Sequence, residues 1–144
     1  MNIKKFLAGA TAGAILLGST ALPALAKAGK APLFDSIPYT CELGATETGG
    51  PTYGFAVMNM TGQGMLQIEV SLKGATPNMT YDIWVNQDPG ACPLGVPTAP
   101  AALTTNSQGN GNAHVSMESV DGAENFWVSA VGGGQVLRST AVSL

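Results

Sequence analysis

The sequence predicts one small all-β domain, a single antiparallel β-sandwich of seven or eight strands. Short apolar or alternating runs are separated throughout by turns rich in glycine, proline and asparagine. No segment of ten or more residues after residue 26 has the 3.6-residue period of a helix, and no internal repeat is evident. About 118 residues remain after an N-terminal export signal, which is enough for one hydrophobic core.

Residues 1–26 have the three-part layout of a secretory signal peptide. Lys4 and Lys5 precede an apolar run over residues 6–22, and small residues occupy both ends of the triplet Ala24-Leu25-Ala26. The apolar run is too short to span a bilayer comfortably. We therefore expect cleavage before Lys27, although the triplet over residues 26–28 also fits a cut two residues later.

The mature chain is expected to be secreted, in the extracellular space or the periplasm, without membrane insertion after cleavage. No second apolar run follows, and the residue at the cut is not a cysteine that accepts lipid. Removing Lys4 and Lys5 from a chain of net charge −3 leaves −5. So few cations remain that a nucleic-acid partner is not expected.

Cys41 and Cys92 are the two cysteines of the chain. In an oxidising compartment an even count of two indicates one disulfide bond. A zinc or redox pair is the alternative, but the two cysteines lack C-x-x-C spacing and one histidine accompanies them. We therefore predict a structural bridge between Cys41 and Cys92.

The clearest strand signal covers residues 65–73, where apolar residues alternate with polar ones, as in a half-buried strand. Residues 80–86 are predicted to form the adjacent strand. Two hairpins are expected around residues 106–111 and 132–134. The other predicted strands cover residues 38–43, 54–61, 103–105, 112–117, 125–131 and 135–144.

Residues 27–37 show little pattern and contain Pro32, so they are predicted to be a flexible lead-in to a domain over residues 38–144. Residues 54–61 are apolar at nearly every position, which favours a strand covered on both faces.

The stretch Leu72-Lys73-Gly74-Ala75-Thr76-Pro77-Asn78-Met79-Thr80-Tyr81-Asp82-Ile83-Trp84-Val85 resembles the tyrosine corner of fibronectin type III and related immunoglobulin-like domains. In those domains a proline lies four residues before the tyrosine, whose hydroxyl bonds back to the upstream backbone. Pro77 and Tyr81 match that spacing. The resemblance covers about 15 residues and implies an immunoglobulin-like sandwich in the broad sense.

A looser resemblance is to the copper/zinc superoxide dismutases and their sandwich relatives. It rests on the order of an alternating strand, Gly90-Ala91-Cys92, a long loop and a glycine-rich turn at residues 103–111. In that family the strand before the Gly-Cys element carries an H-x-H metal-binding pair, whereas this chain has Ile83-Trp84-Val85-Asn86. The resemblance thus implies the sandwich without the metal or the activity.

The residues that usually carry catalysis form no complete set. His114, the single histidine, lies on the polar face of its predicted strand and has no orienting partner nearby in sequence. The carboxylates are scattered, and the chain lacks the G-x-S-x-G motif of serine hydrolases. We predict no catalytic residue, no metal site and no cofactor, and hence not an enzyme.

Two tryptophans form the candidate binding site. Trp84 and Trp127 are out of phase with the apolar residues of their strands, so both indoles point away from the core. If the strands are neighbours, the indoles form an exposed platform, a surface that suits a sugar ring or a protein. The alternative is that the proline-rich loop or the lead-in covers one indole. The polar residues expected beside the platform are Asp82, Asn86 and Ser129.

The leading hypothesis is a non-catalytic secreted binding or surface-structural module, with a protein or glycan surface as its partner. One alternative is a carbohydrate-binding module that uses Trp84 and Trp127. Another is a self-assembling extracellular subunit in which the strand at residues 54–61 pairs with another copy.

Overall fold

The protein forms nine β-strands in a computed structural model that describes residues 27–35, 50–89 and 100–144. No helix occurs among these described residues. The strands are β1 (Lys27–Asp35), β2 (Thr52–Met60), β3 (Met65–Leu72), β4 (Thr80–Asp88), β5 (Ala101–Thr104), β6 (Gly111–Glu118), β7 (Asn125–Gly132), β8 (Gln135–Ser139) and β9 (Val142–Ser143).

All strand pairs are antiparallel and belong to one sheet, in the order β5-β4-β7-β8-β1-β2-β3-β6, with β9 paired to β7. The terminal strands of this order, β5 and β6, lie side by side, so the sheet curls into a nearly closed barrel. The predicted all-β antiparallel class is confirmed. The strands do not divide into two separate sheets, because β1 joins the two halves into one.

Alternation along the strands determines which side chains fill the interior. In β3, Leu66, Ile68, Val70 and Leu72 are buried, whereas the polar residues between them are exposed or half-buried. Inward side chains from both halves of the sheet pack into one cluster. Its largest fully buried members are Tyr81, Phe126, Leu33, Met58, Leu66, Ile68, Leu72, Ile83, Leu137, Val70 and Val128.

The prediction of a flexible lead-in was wrong for residues 27–35. They form β1, which pairs with β2 over most of its length and with β8 at its C-terminal end. The register with β2 shifts between Pro32 and Phe34, which is where a proline that lacks an N–H is tolerated in a sheet. The sequence signal was weak because glycine and proline interrupt the alternation and the partner β8 is distant in the chain.

Two predicted strand pairings were wrong. β3 pairs with β2 and β6, and β4 pairs with β5 and β7, so β3 and β4 are not adjacent. The predicted turn after β5 does form, with Asn106 N–H donating to Asn110 C=O at 2.9 Å. However, β5 pairs with β4 and β6 pairs with β3, so this turn links the two ends of the curled sheet instead of closing a hairpin.

The hairpin between β7 and β8 is confirmed. Gly132 lies opposite Gln135, and the two residues between them, Gly133 and Gly134, have φ values of 59° and 75°. Positive φ at both central positions is typical of the turns that match the twist of a hairpin, and glycine adopts it without steric cost.

The predicted tyrosine corner is also confirmed. Tyr81 is fully buried, and its hydroxyl accepts a hydrogen bond from the backbone N–H of Thr76 at 2.9 Å. The same hydroxyl donates to Gln135 Oε1 at 2.6 Å, which ties the corner to the start of β8. Pro77 lies in the turn between these groups. The bond from Thr76 to the Tyr81 hydroxyl agrees with the spacing of Pro77 and Tyr81, and the contact with Gln135 also joins this corner to β8.

Tyr81→Phe should lower the free energy of unfolding by about 1 to 2 kcal/mol, because both hydrogen bonds of the buried hydroxyl are lost. Urea denaturation of the variant and of wild type measures the difference. Tyr53→Phe, at a half-buried tyrosine of β2, is the matched control and should change stability less. Equal effects of the two substitutions would contradict a structural role for the Tyr81 hydroxyl.

Candidate functional site

The two tryptophans lie on neighbouring strands, as the platform hypothesis required. β4 pairs with β7 so that Trp84 faces Ser129 and Asn86 faces Trp127. Residues that face each other across an antiparallel ladder have side chains on the same side of the sheet. Since Phe126 and Val128 point into the core, Trp127 and Ser129 lie on the outer face of the barrel together with Trp84 and Asn86.

The structure buries most of the side chains of this platform. Trp127 is 2% exposed, Asn86 1% and Ser129 0%, whereas Trp84 is half-buried. Asn86 Nδ2 donates to Ser129 Oγ at 3.1 Å, so the polar groups expected to meet a ligand are hydrogen-bonded to each other. Of the predicted ligand-binding residues, Asp82 alone is exposed.

Burial of Trp127 agrees with the alternative that one indole is covered. The indole Nε1 is itself buried and has no hydrogen-bond partner among the described residues. The proline-rich loop and residues 36–37 of the predicted lead-in lie outside the described residues, as do Cys41 and Cys92. The covering segment and the disulfide bond therefore remain predictions.

A second outer surface lies on β1, β2, β3 and β6, and its side chains are exposed or half-buried. The ladders of these four strands align their outward residues in three rows across the sheet. We call this surface the β2 face. Its rows are Lys30-Val57-Glu69-His114, Ala28-Asn59-Gln67-Ser116 and Pro32-Phe55-Ser71-Asn112.

Side-chain contacts across the strands order the β2 face. His114 Nδ1 lies 2.6 Å from Glu69 Oε1, with side-chain exposures of 51% and 63% respectively. In the next row, Gln67 Nε2 donates to Ser116 Oγ at 2.7 Å. These contacts limit the rotamers of the side chains before any partner binds, which lowers the entropy lost on binding.

A cation–π contact joins β1 and β2 on the same face. Lys30 Nζ is 3.9 Å from the ring centroid of Phe55. Phe55 and Val57 are half-buried and project from β2, between a cationic side chain on β1 and an anionic one on β3. The face thus presents an apolar strip between opposite charges. A partner protein can bury the strip and pair with the charges on either side of it.

Sequence reasoning placed His114 correctly on a polar surface but missed its partner. Glu69 lies 45 positions away in the chain, so no local pattern connects the two residues. One sequence feature could have indicated the contact. Apolar and polar residues alternate in both β3 and β6, so pairing of these two strands places their outward polar residues side by side. The contact between His114 and Glu69 is open to solvent. Polar contacts between exposed side chains contribute little to stability, about 0 to 1 kcal/mol.

Other features of the described residues give little indication of chemistry. No group of three or more His, Cys, Asp or Glu residues within the described ranges is placed to hold a metal ion. An open depression of about 310 Å³ lies at one end of the barrel, and its lining includes Lys27, Met60, Ser119 and Leu144. In the same part of the chain, no helix is long and apolar enough to cross a membrane.

Single-tryptophan variants should separate the two indoles. Trp84→Phe leaves Trp127, which should emit at short wavelength and resist iodide quenching because it is buried. Trp127→Phe leaves Trp84, which should be quenched more strongly because it is half-buried. Steady-state fluorescence with an iodide titration checks this. Strong quenching of Trp127 in a folded protein would contradict its burial and support the hypothesis of an exposed platform.

Comparison of the chain with protein-family models, with curated proteins and with solved structures found no match. The resemblances to immunoglobulin-like and dismutase-like sandwiches are therefore not confirmed at the level of family. What is confirmed is an antiparallel, all-β barrel-like sheet, and the functional argument depends on its surfaces.

Proposed function

We propose that this chain is a non-catalytic exported binding or surface-structural module that contacts a protein partner through the β2 face. The observation that carries the proposal is the row Lys30-Val57-Glu69-His114, a set of ordered charged and apolar side chains on four consecutively paired strands. A sheet with continuous ladders fixes the spacing of the Cβ atoms from which these side chains project. Rigid presentation of this kind favours recognition because little order has to be gained on binding.

Several features support a non-catalytic role. His114 and Glu69 interact on an open surface, where water screens charges and stabilises a transition state less than an enclosed site does. The interior is filled by packed apolar side chains. The carbohydrate-binding alternative keeps only Trp84 as a partly accessible indole, so the contact surface is placed on the β2 face instead.

Export is proposed from residues 1–26, whose layout is that of a secretory signal peptide. The ladder between β1 and β2 is compatible with cleavage after Ala26, because a cut two residues later would remove Lys27 and Ala28, which pair with Met60 and Asn59.

N-terminal sequencing of the protein recovered outside the cytoplasm should give Lys27 as the first residue. The reason is that this cut leaves every ladder pair of β1 intact. Substitution of Ala26 by a bulky residue such as Phe should block cleavage at this position, because the enzyme needs a small residue there. Recovery of the uncleaved chain in the cytoplasm of wild-type cells would contradict export.

Retention at the surface of the producing cells tests the contact function. Val57→Glu places a new charge at the centre of the β2 face and should lower the retained fraction several-fold, because burying that charge is costly. Ala102→Glu adds the same charge at an exposed position of β5 and should have no effect. Immunoblots of washed cells and medium measure the fraction, and circular dichroism checks folding.

Equal retention of the two variants would contradict a role for the β2 face. Turnover of a defined substrate that is lost in His114→Gln would contradict the non-catalytic assignment.

A further inference from the structure

We propose that a second copy of this chain docks on the β2 face and forms a symmetric homodimer. This inference rests on the function proposed above and names the partner of the same surface. It replaces the hypothesis that residues 54–61 add as a strand to another copy. Both edges of β2 are already paired, one with β1 and the other with β3. The face of β2 is available for contact, whereas its edges are not.

The β2 face is complementary to itself. Val57 and Phe55 form a central apolar strip on β2, Lys30 lies on the β1 side of Val57, and Glu69 lies on the β3 side. Lys30 and Glu69 occupy the same row on opposite sides of this strip, so the face carries a positive edge and a negative edge in register.

A two-fold axis parallel to β2, lying between two such faces, brings these groups together. The rotation exchanges the β1 side with the β3 side and leaves positions along the strand unchanged. Lys30 then lies over Glu69 of the second copy, and Glu69 lies over Lys30 of the second copy. Val57 and Phe55 face their own counterparts, as in aligned packing of two sheets about 10 Å apart.

The charge distribution favours this face over the rest of the surface. The chain without residues 1–26 carries a net charge of −5, since Lys4 and Lys5 are removed from a total of −3, so two copies repel each other on average. The β2 face carries Lys30 and Glu69, whose formal charges cancel. Contact through this face therefore meets less repulsion than contact through an acidic surface.

The size of the face predicts a weak dimer. Four strands about 4.8 Å apart and three rows about 6.8 Å apart give a patch of roughly 15 by 15 Å. The outer surface of a curled sheet is convex, which confines contact to β2 and its immediate neighbours. Such a patch buries roughly 200 to 250 Å² per copy, well below the roughly 800 Å² per partner of a standard interface, so we expect a transient dimer with a Kd between about 100 μM and about 1 mM.

Sedimentation equilibrium of the exported protein, from about 10 μM to about 1 mM, tests the dimer. Lys30→Glu and Glu69→Lys should each weaken dimerisation at least about tenfold, because both symmetric ion pairs become like-charge pairs. An equimolar mixture of these two variants should form a heterodimer with near wild-type affinity, since both pairs are then complementary. The double variant Lys30→Glu/Glu69→Lys should likewise dimerise as wild type does.

Lys73→Glu and Glu124→Lys make the same charge changes at exposed positions outside the β2 face and should leave dimerisation unchanged apart from small effects of net charge. His114→Gln removes the contact of Glu69 with His114 within one copy but leaves Glu69 free to pair with Lys30 of the second copy. This variant should therefore dimerise as wild type does. A wild-type protein that stays monomeric at the highest concentration would overturn the dimer. A mixture of the two single variants that stays monomeric would do the same.

The dimer and the proposed function fail separately. If wild type is monomeric but Val57→Glu still lowers surface retention, the β2 face binds a different protein and the dimer is wrong. If wild type dimerises while retention is independent of Val57, the dimer is correct and the proposed contact with the cell surface is wrong.

Discussion

The nine strands form one sheet because β1 pairs with both β2 and β8. One half of the sheet contains β5, β4, β7 and β8, and the other contains β2, β3 and β6. β1 joins these halves, and Leu33, Phe34 and Asp35 supply its contacts with β8. Without this short ladder the two halves would each expose an apolar face to water. With it, they share one core.

Joining the halves also determines how the outer surfaces differ. On β7 both faces are buried, so Trp127 and Ser129 are as inaccessible as Phe126 and Val128. On β3 one face is buried and the other open, which leaves Glu69 beside His114 in solvent. The surface that can meet a partner is therefore the one on β1, β2, β3 and β6, where the ladders are continuous and the side chains remain accessible.

The extent to which sequence predicted the site differs from residue to residue. The tyrosine corner was predictable because Pro77, Thr76 and Tyr81 lie within six positions, and local spacing determines its geometry. The orientation of both tryptophans followed from alternation, which is also local. Exposure was not predictable in the same way, because it depends on what covers a face. The Glu69–His114 pair joins strands 45 positions apart, and no local pattern reports such a pairing.

The all-β class, the positions of most strands and turns, and the inward side chains of each strand were predictable from the order of residues along the chain. These properties follow from the two-residue period of a strand and from the conformational preferences of glycine and proline, which act over a few residues. Three features depended on the complete fold: residues 27–35 form a strand, β3 and β4 are apart, and the sheet curls on itself. The physical reason is that strand pairing depends on the burial of apolar surface across the whole chain, to which distant segments such as β1 and β8 contribute equally.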